Sequence, residues 1–117
     1  MADLLVDTDI FVDHLRGARR LEPRDNRLFY STLTRCELFA GAGGDEQIIR
    51  ALLAPFRELA IGRVVAEAAG RLRRARRIAI ADAVIAATAT SNGLPLCTRN
   101  RRHFEVVPDL KVVAEPS

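Results

Sequence analysis

Acidic residues interrupt apolar segments at three separate places in the chain. Asp7 directly follows the apolar run 4–6, Asp82 is the only charged residue of the segment 78–91, and Glu37 is flanked by apolar side chains. An ionised carboxylate in such a setting is costly unless it is paired, hydrogen-bonded or bound to a metal. A set of Asp and Glu oxygens favours Mg²⁺ or Mn²⁺ over zinc. Because Mg²⁺ held by a few carboxylates keeps positions open for phosphate oxygens, the acids point to phosphoryl chemistry.

Each acid also has a purely structural interpretation. Asp82 fits the first turn of a helix, where the helix dipole and free amides stabilise it. Asp7 fits a helix N-cap. Glu37 closes a capping box if the helix is capped by Thr34. A helix that begins at Ser31 instead places Glu37 nearly two turns in, facing the same crevice as Asp7. The residue pattern alone leaves these alternatives open.

A fourth candidate is the polar segment 98–104, which follows a short apolar run. Its Asn100 approaches Asp7 if the first and fourth strands of the sheet are neighbours, because ligands of open parallel sheets bind beyond the carboxyl ends of the strands. Its basic side chains would then lie beside the acids and hold phosphates: Arg99, Arg101 and Arg102. The alternative interpretation of this segment is a solvated surface turn.

Short apolar runs alternate with helical patterns along the chain, which predicts an α/β domain with a mostly parallel sheet. The predicted strands cover residues 4–6, 28–30, 56–61, 95–98 and 110–113. The predicted helices cover 9–15, a stretch through 33–38, 45–53, 62–77 and 80–91. The glycine-rich residues 41–44 break the second helix.

The chain has 117 residues, 49% of them hydrophobic and 28% charged, which predicts a single domain over 1–117. No apolar run approaches the roughly 20 residues that span a bilayer. The first residues also lack a basic segment followed by an apolar stretch. We therefore expect a cytoplasmic protein with no membrane partner. Cys36 and Cys97 are expected to be buried, reduced thiols.

The basic residues are almost all arginines. Lys111 is the only lysine among 18 Lys and Arg residues, and the net charge is +3. Arginine matches phosphate oxygens and suits a nucleic-acid partner, but a GC-rich coding sequence produces the same bias. The densest basic run, 71–77, fits either a solvated helix end favoured by the helix dipole or a rail for a nucleic-acid backbone.

Four segments, at 4–17, 31–41, 80–89 and 96–104, together resemble the PIN-domain nucleases. They read LLVDTDIFVDHLRG, STLTRCELFAG, IADAVIAATA and LCTRNRRHF, occur in the family's order and extend over nearly the whole chain. Within that family, the chain is similar to the VapC-like toxins of bacterial toxin–antitoxin pairs. One such motif is weak evidence, whereas four in order are specific.

The resemblance implies a three-layer α/β/α sandwich with Asp7, Glu37 and Asp82 as metal-binding acids. It implies that Thr8 supports the site through its hydroxyl, and that the cofactor is Mg²⁺ or Mn²⁺. It also implies a cytoplasmic homodimer that cuts RNA and is neutralised by a cognate antitoxin lying across the acids. The chain departs from many relatives by carrying Asn100 where they have an acid, which puts a second stably bound metal in doubt.

Three rival functions are open. A phosphatase of the haloacid-dehalogenase type needs a lysine near the acids at 7–9, but Lys111 lies in the last strand. A phosphoryl-receiver domain needs an acid after the third strand, and none follows 59–61. The third rival keeps the fold but only binds nucleic acid or a protein. Asn100 favours this rival, and the retention of three acids argues against it.

Overall fold

A computed structural model describes residues 2–41 and 44–116. Its elements, in chain order, are β1 (Asp3–Val6), α1 (Thr8–Leu15), β2 (Arg27–Ser31), α2 (Thr32–Ala40), α3 (Glu46–Leu53), β3 (Arg57–Leu59), α4 (Arg63–Ala75), α5 (Ile80–Ser91), β4 (Leu96–Cys97), α6 (Arg101–Phe104) and β5 (Val112–Val113). Ala42 and Gly43, the centre of the predicted helix break, lie outside the described residues.

The strands form one sheet in the order β3-β2-β1-β4-β5, and every neighbouring pair is parallel. This confirms the predicted α/β class and the five-stranded parallel sheet. The central strand, β1, lies between β2 and β4, so the first and fourth strands are neighbours. The segment that follows β4 therefore begins next to Asp7, as is required for Asn100 to approach it.

Side chains that alternate along the strands fill a separate core on each face of the sheet. Leu5 and Leu96 pack with α4 and α5 on one face, whereas Leu4, Val6 and Cys97 pack with α1, α2 and α3 on the other. Because successive strand residues point to opposite faces, a strand covered on both sides is apolar throughout. The two cores give the three-layer α/β/α sandwich that the resemblance implies.

Three local predictions differ from the structure. The third, fourth and fifth strands are shorter than expected, and residues 101–104 form the short helix α6, anchored by the buried Phe104. Cys97 is buried as predicted, but Cys36 is exposed. The reason is helical geometry: α2 buries Thr34 and Leu38, which are four residues apart and share a face. Cys36 lies midway between them and points to the opposite side.

The arginines of the run 71–77 are exposed at the end of α4, as a solvated helix end requires. Arg73 also donates from Nε to the Ile78 carbonyl oxygen at 3.1 Å, across the turn that leads to α5. The use of this run as a nucleic-acid rail stays a prediction.

Over the two described ranges, no helix has both the length and the apolar character that crossing a membrane requires.

Candidate active site

Asp7 lies at the carboxyl end of the central strand and caps helix α1 at the same time. Its side chain is almost fully buried. Oδ1 accepts a hydrogen bond from the Thr8 backbone amide at 2.8 Å, and Oδ2 accepts one from Thr98 Oγ1 at 2.8 Å. The backbone amide of Asp7 donates to the Cys97 carbonyl oxygen, which fixes it to the end of β4. The capping interpretation and the crevice position are therefore both correct for Asp7.

Burial raises the pKa of Asp7 to about 7, and the neighbouring negative charges of Asp9 and Asp82 add to the increase. The hydrogen bonds from Thr98 and Thr8 favour the ionised form but do not offset burial. A carboxylate placed in this way lacks a compensating positive charge. Its surroundings therefore favour either a proton or a metal cation.

Helix α2 begins directly after Ser31, whose Oγ accepts a hydrogen bond from the Leu33 amide at 3.0 Å. The capping box with Thr34 at its start is therefore wrong, because Thr34 lies inside the helix and is fully buried. Glu37 is consequently almost two turns in, as the alternative start predicts. It is exposed and lies at the same edge of the sheet as Asp7 and Asp82.

Thr8 connects the first two acids. Its Oγ1 donates to Glu37 Oε1 at 2.6 Å and lies 2.9 Å from Thr34 Oγ1. Since the single Thr8 hydroxyl proton goes to the carboxylate, the Thr34 hydroxyl is the donor in the second bond. A buried threonine thus orients the threonine that orients Glu37. The resemblance implies that Thr8 supports the acids through its hydroxyl, and in the structure this hydroxyl is hydrogen-bonded to Glu37.

Asp82 lies in the first turn of α5, and its side chain is 26% exposed. Burial raises its pKa, the His103 imidazole opposes this increase, and the charges of Glu37 and Asp9 add to it. His103 Nδ1 is 3.4 Å from Asp82 Oδ2, which makes an ion pair when the imidazole is protonated. His103 belongs to the polar segment 98–104, whose sequence gives no indication of this partner.

The segment after β4 lies beside Asp7 but does not present all its side chains to the acids. The Asn100 amide donates to Thr98 Oγ1 at 3.0 Å, while the Asn100 side chain is exposed. Arg99 pairs through Nε with the buried Asp13 Oδ2 at 2.8 Å, so it is anchored to α1. The two remaining arginines, Arg101 and Arg102, are exposed and make no ion pair within the described ranges.

Asp9 lies beside Asp7, although it is not one of the three acids that the sequence singles out. Its Oδ2 accepts hydrogen bonds from the Arg99 amide at 3.0 Å and from Thr98 Oγ1 at 3.2 Å. Its Oδ1 is shielded from solvent and has no hydrogen-bond partner in the described part of the chain. The sequence held one signal for this role: the run Asp7-Thr8-Asp9 contains one acid more than a helix cap needs.

The carboxylate oxygens at this edge of the sheet are of the chemical type that binds a hard divalent cation. Four carboxylates lie at one edge of the sheet: Asp7, Asp9, Glu37 and Asp82. No three Asp, Glu, His or Cys side chains of the described residues are already gathered tightly enough to enclose a metal ion. Mg²⁺, however, usually takes only one or two protein carboxylates and fills its other positions with water and phosphate oxygens. Asp7 is buried among these acids, and Asp9 Oδ1 has no hydrogen-bond partner in the described part of the chain.

A parallel sheet between two layers of helices, with acidic side chains at the carboxyl edge of the sheet, places this chain in the class of three-layer α/β/α proteins. Residues 4–110 match the family described as PIN domain, and the chain belongs to this family. It is 35% identical to Ribonuclease VapC10 of Mycobacterium tuberculosis, with 92% of this chain and 90% of that protein covered. It is 37% identical to Ribonuclease VapC19 of the same organism, with 92% and 96% covered.

A solved structure described as a toxin–antitoxin complex from Klebsiella pneumoniae is similar over nearly the full length. The TM-score is 0.76 at 33% sequence identity, and the match covers 97% of this chain and 98% of that chain. The resemblance inferred from the four motifs is therefore confirmed, together with the fold that it implies.

Proposed function

We propose that this protein is a metal-dependent endoribonuclease and the toxin of a toxin–antitoxin pair. Its metal, Mg²⁺ or Mn²⁺, is held by Asp7, Glu37 and Asp82. The observation that carries the proposal is the gathering of four carboxylates, Asp7, Asp9, Glu37 and Asp82, at the carboxyl edge of the sheet, with Asp7 buried among them. Two curated relatives that cover nine-tenths of this chain are named ribonucleases, which supports RNA as the substrate.

Each side chain of the crevice has a distinct task in this mechanism. The bound cation would lower the pKa of a water molecule and polarise the scissile phosphate. Asp7 is fixed by its bonds to the Thr8 amide and Thr98, so its orientation is set before RNA arrives. Thr8 holds Glu37 at the rim. Asp82 or Asp7 orients the attacking water by accepting its hydrogen bond, and Asn100 offers an uncharged oxygen nearby.

RNA would be held along its phosphates by the arginines that follow β4. Arg101 and Arg102 are exposed and available for this contact. Arg99 is paired with Asp13, so it contacts a phosphate only with the N–H groups that Asp13 leaves free. Aromatic residues make up 5% of the chain, so recognition rests on RNA shape and backbone more than on base stacking.

The partners follow from the same proposal. The chain acts in the cytoplasm as a homodimer, and a cognate antitoxin covers the acids and blocks RNA. The solved toxin–antitoxin complex from Klebsiella pneumoniae, 33% identical to this chain, supports a protein partner of this kind.

Purified protein, free of any partner, is expected to cut total RNA in the presence of Mg²⁺. Cleavage stops when EDTA removes the metal and returns when Mg²⁺ is added in excess, because the phosphate is attacked only at the loaded site. Fragment ends are then mapped by ligation, with a 5′-phosphate and a 3′-hydroxyl expected from attack by water.

Two outcomes contradict the proposal. Cleavage that persists in EDTA, or fragments that end in a 2′,3′-cyclic phosphate, exclude attack by metal-activated water. A folded protein that binds Mn²⁺ but cuts none of a broad panel of RNAs favours the non-catalytic binding module.

A further inference from the structure

The crevice has one carboxylate fewer after β4 than a fully acidic site would have, since Asn100 brings no charge there. The structure places another carboxylate beside this position. Asp9 extends from the first turn of α1 and contacts the two residues that precede Asn100. This juxtaposition joins residues that are about 90 positions apart in the chain.

A single hydroxyl joins Asp9 to Asp7. Thr98 Oγ1 lies 2.8 Å from Asp7 Oδ2 and 3.2 Å from Asp9 Oδ2. A threonine hydroxyl has one proton, so it donates to only one of these oxygens at a time. The same oxygen accepts the Asn100 amide at 3.0 Å. Asp7, Asp9 and the backbone of Asn100 therefore surround one atom.

The hydrogen bonds that Asp9 accepts from the described residues leave one of its two carboxylate oxygens without a donor. Oδ2 receives the Arg99 amide and shares the Thr98 proton, but Oδ1 is buried and receives no donor from the described residues. Arg99, whose backbone amide bonds Asp9, pairs its guanidinium with Asp13 instead. A buried, charged acceptor left without a donor destabilises the metal-free protein, and a cation bound beside the carboxylate relieves this cost.

We propose that Asp9 is the fourth carboxylate of the cation site and supplies, from helix α1, the negative charge that Asn100 lacks. This inference rests on the proposed function, because it assumes that Asp7 and Asp82 bind a divalent cation. Oδ2 holds the loop after β4 in place, and the charge of the carboxylate adds to that of Asp7, with which it shares the Thr98 hydroxyl.

Mn²⁺ binding to the RNA-free protein, measured by electron paramagnetic resonance, tests this assignment without relying on activity. Asp9→Asn keeps an oxygen that accepts the Arg99 amide but removes the charge. We expect the dissociation constant for Mn²⁺ to rise about tenfold, as is typical when a group next to the metal ligands is lost. Glu67→Gln makes the same chemical change on the exposed surface of α4 and is expected to leave the constant unchanged.

The double variant Asp9→Asn with Asn100→Asp separates charge from loop positioning. It returns a carboxylate to a residue whose amide already bonds Thr98, so we expect the dissociation constant to return to within about threefold of the wild type. Weakening in Asp9→Asn without rescue in the double variant assigns Asp9 to holding the loop and overturns the proposal. Wild-type binding that Asp9→Asn leaves unchanged overturns it as well, with the proposed function intact. A wild-type protein that binds no Mn²⁺ overturns both.

Discussion

Asp82→Asn is expected to reduce RNA cleavage at least about 100-fold, the typical loss when a positioned carboxylate is removed from a catalytic site. The amide is nearly the same size as the carboxylate, so the first turn of α5 is preserved. Burial raises the pKa of Asp82, which means that the protein disfavours its charge. The variant is therefore expected to fold with wild-type stability or slightly more.

Initial cleavage rates at saturating Mg²⁺ measure this effect, and circular dichroism melts show that the variant is folded. Glu67→Gln is the matched control, because it removes one acid from the exposed face of α4 and should cleave like the wild type. Full activity in Asp82→Asn would remove this residue from the catalytic site.

Asp7→Asn is expected to act in opposite directions on activity and on stability. Cleavage is lost, because the amide carries no charge for the cation. The free energy of unfolding of the metal-free protein rises at pH 8, because an uncompensated buried charge is removed. The variant keeps an oxygen for the Thr8 amide, and its NH₂ group donates to Thr98 Oγ1, which then donates to Asp9.

The pH dependence follows from the raised pKa of Asp7, about 7 in the folded protein against an ordinary value of 3.8. Below pH 4 the carboxyl is protonated in both folded and unfolded chains, and it costs nothing. Between about pH 4 and pH 7, the Asp7 carboxyl is ionised in the unfolded chain but still protonated in the folded one. The free energy of unfolding therefore falls progressively as the pH rises. Above pH 7 the full loss, on the order of 4 kcal/mol, is present.

Urea unfolding in EDTA at pH 5 and pH 8 measures this difference. The advantage of Asp7→Asn over the wild type should be larger at pH 8, and added Mg²⁺ should stabilise only the wild type. Glu67→Gln serves again as the charge-matched control, with no pH-dependent advantage expected. A variant that is less stable than the wild type at pH 8 would show that Asp7 is compensated within the fold.

The central strand and two of the acids were visible in the sequence for physical reasons. Residues 4–6 of β1 are buried and form an uninterrupted apolar run, which is followed at once by Asp7. Helix α5 is apolar on nearly every side, so its single charge, Asp82, stood out. These features depend on local patterns, which is why the α/β class and the sheet were predicted correctly.

Glu37 was ambiguous because Ser31 and Thr34 are both good helix caps. The structure resolves this through a tertiary contact: Thr34 is buried against Thr8, a residue of another helix. No local pattern contains that contact. The same limit applies to Asp9, whose bonds reach across about 90 residues, and to the pairing of His103 with Asp82.

A crystal of the partner-free protein grown with Mn²⁺ tests the central claim most directly, through the anomalous scattering of manganese. The account predicts the strongest anomalous peak in the crevice at the carboxyl edge of the sheet, within coordination distance of the Asp7 and Asp82 carboxylates. A strongest peak elsewhere on the chain, or an empty crevice at saturating Mn²⁺, would contradict it.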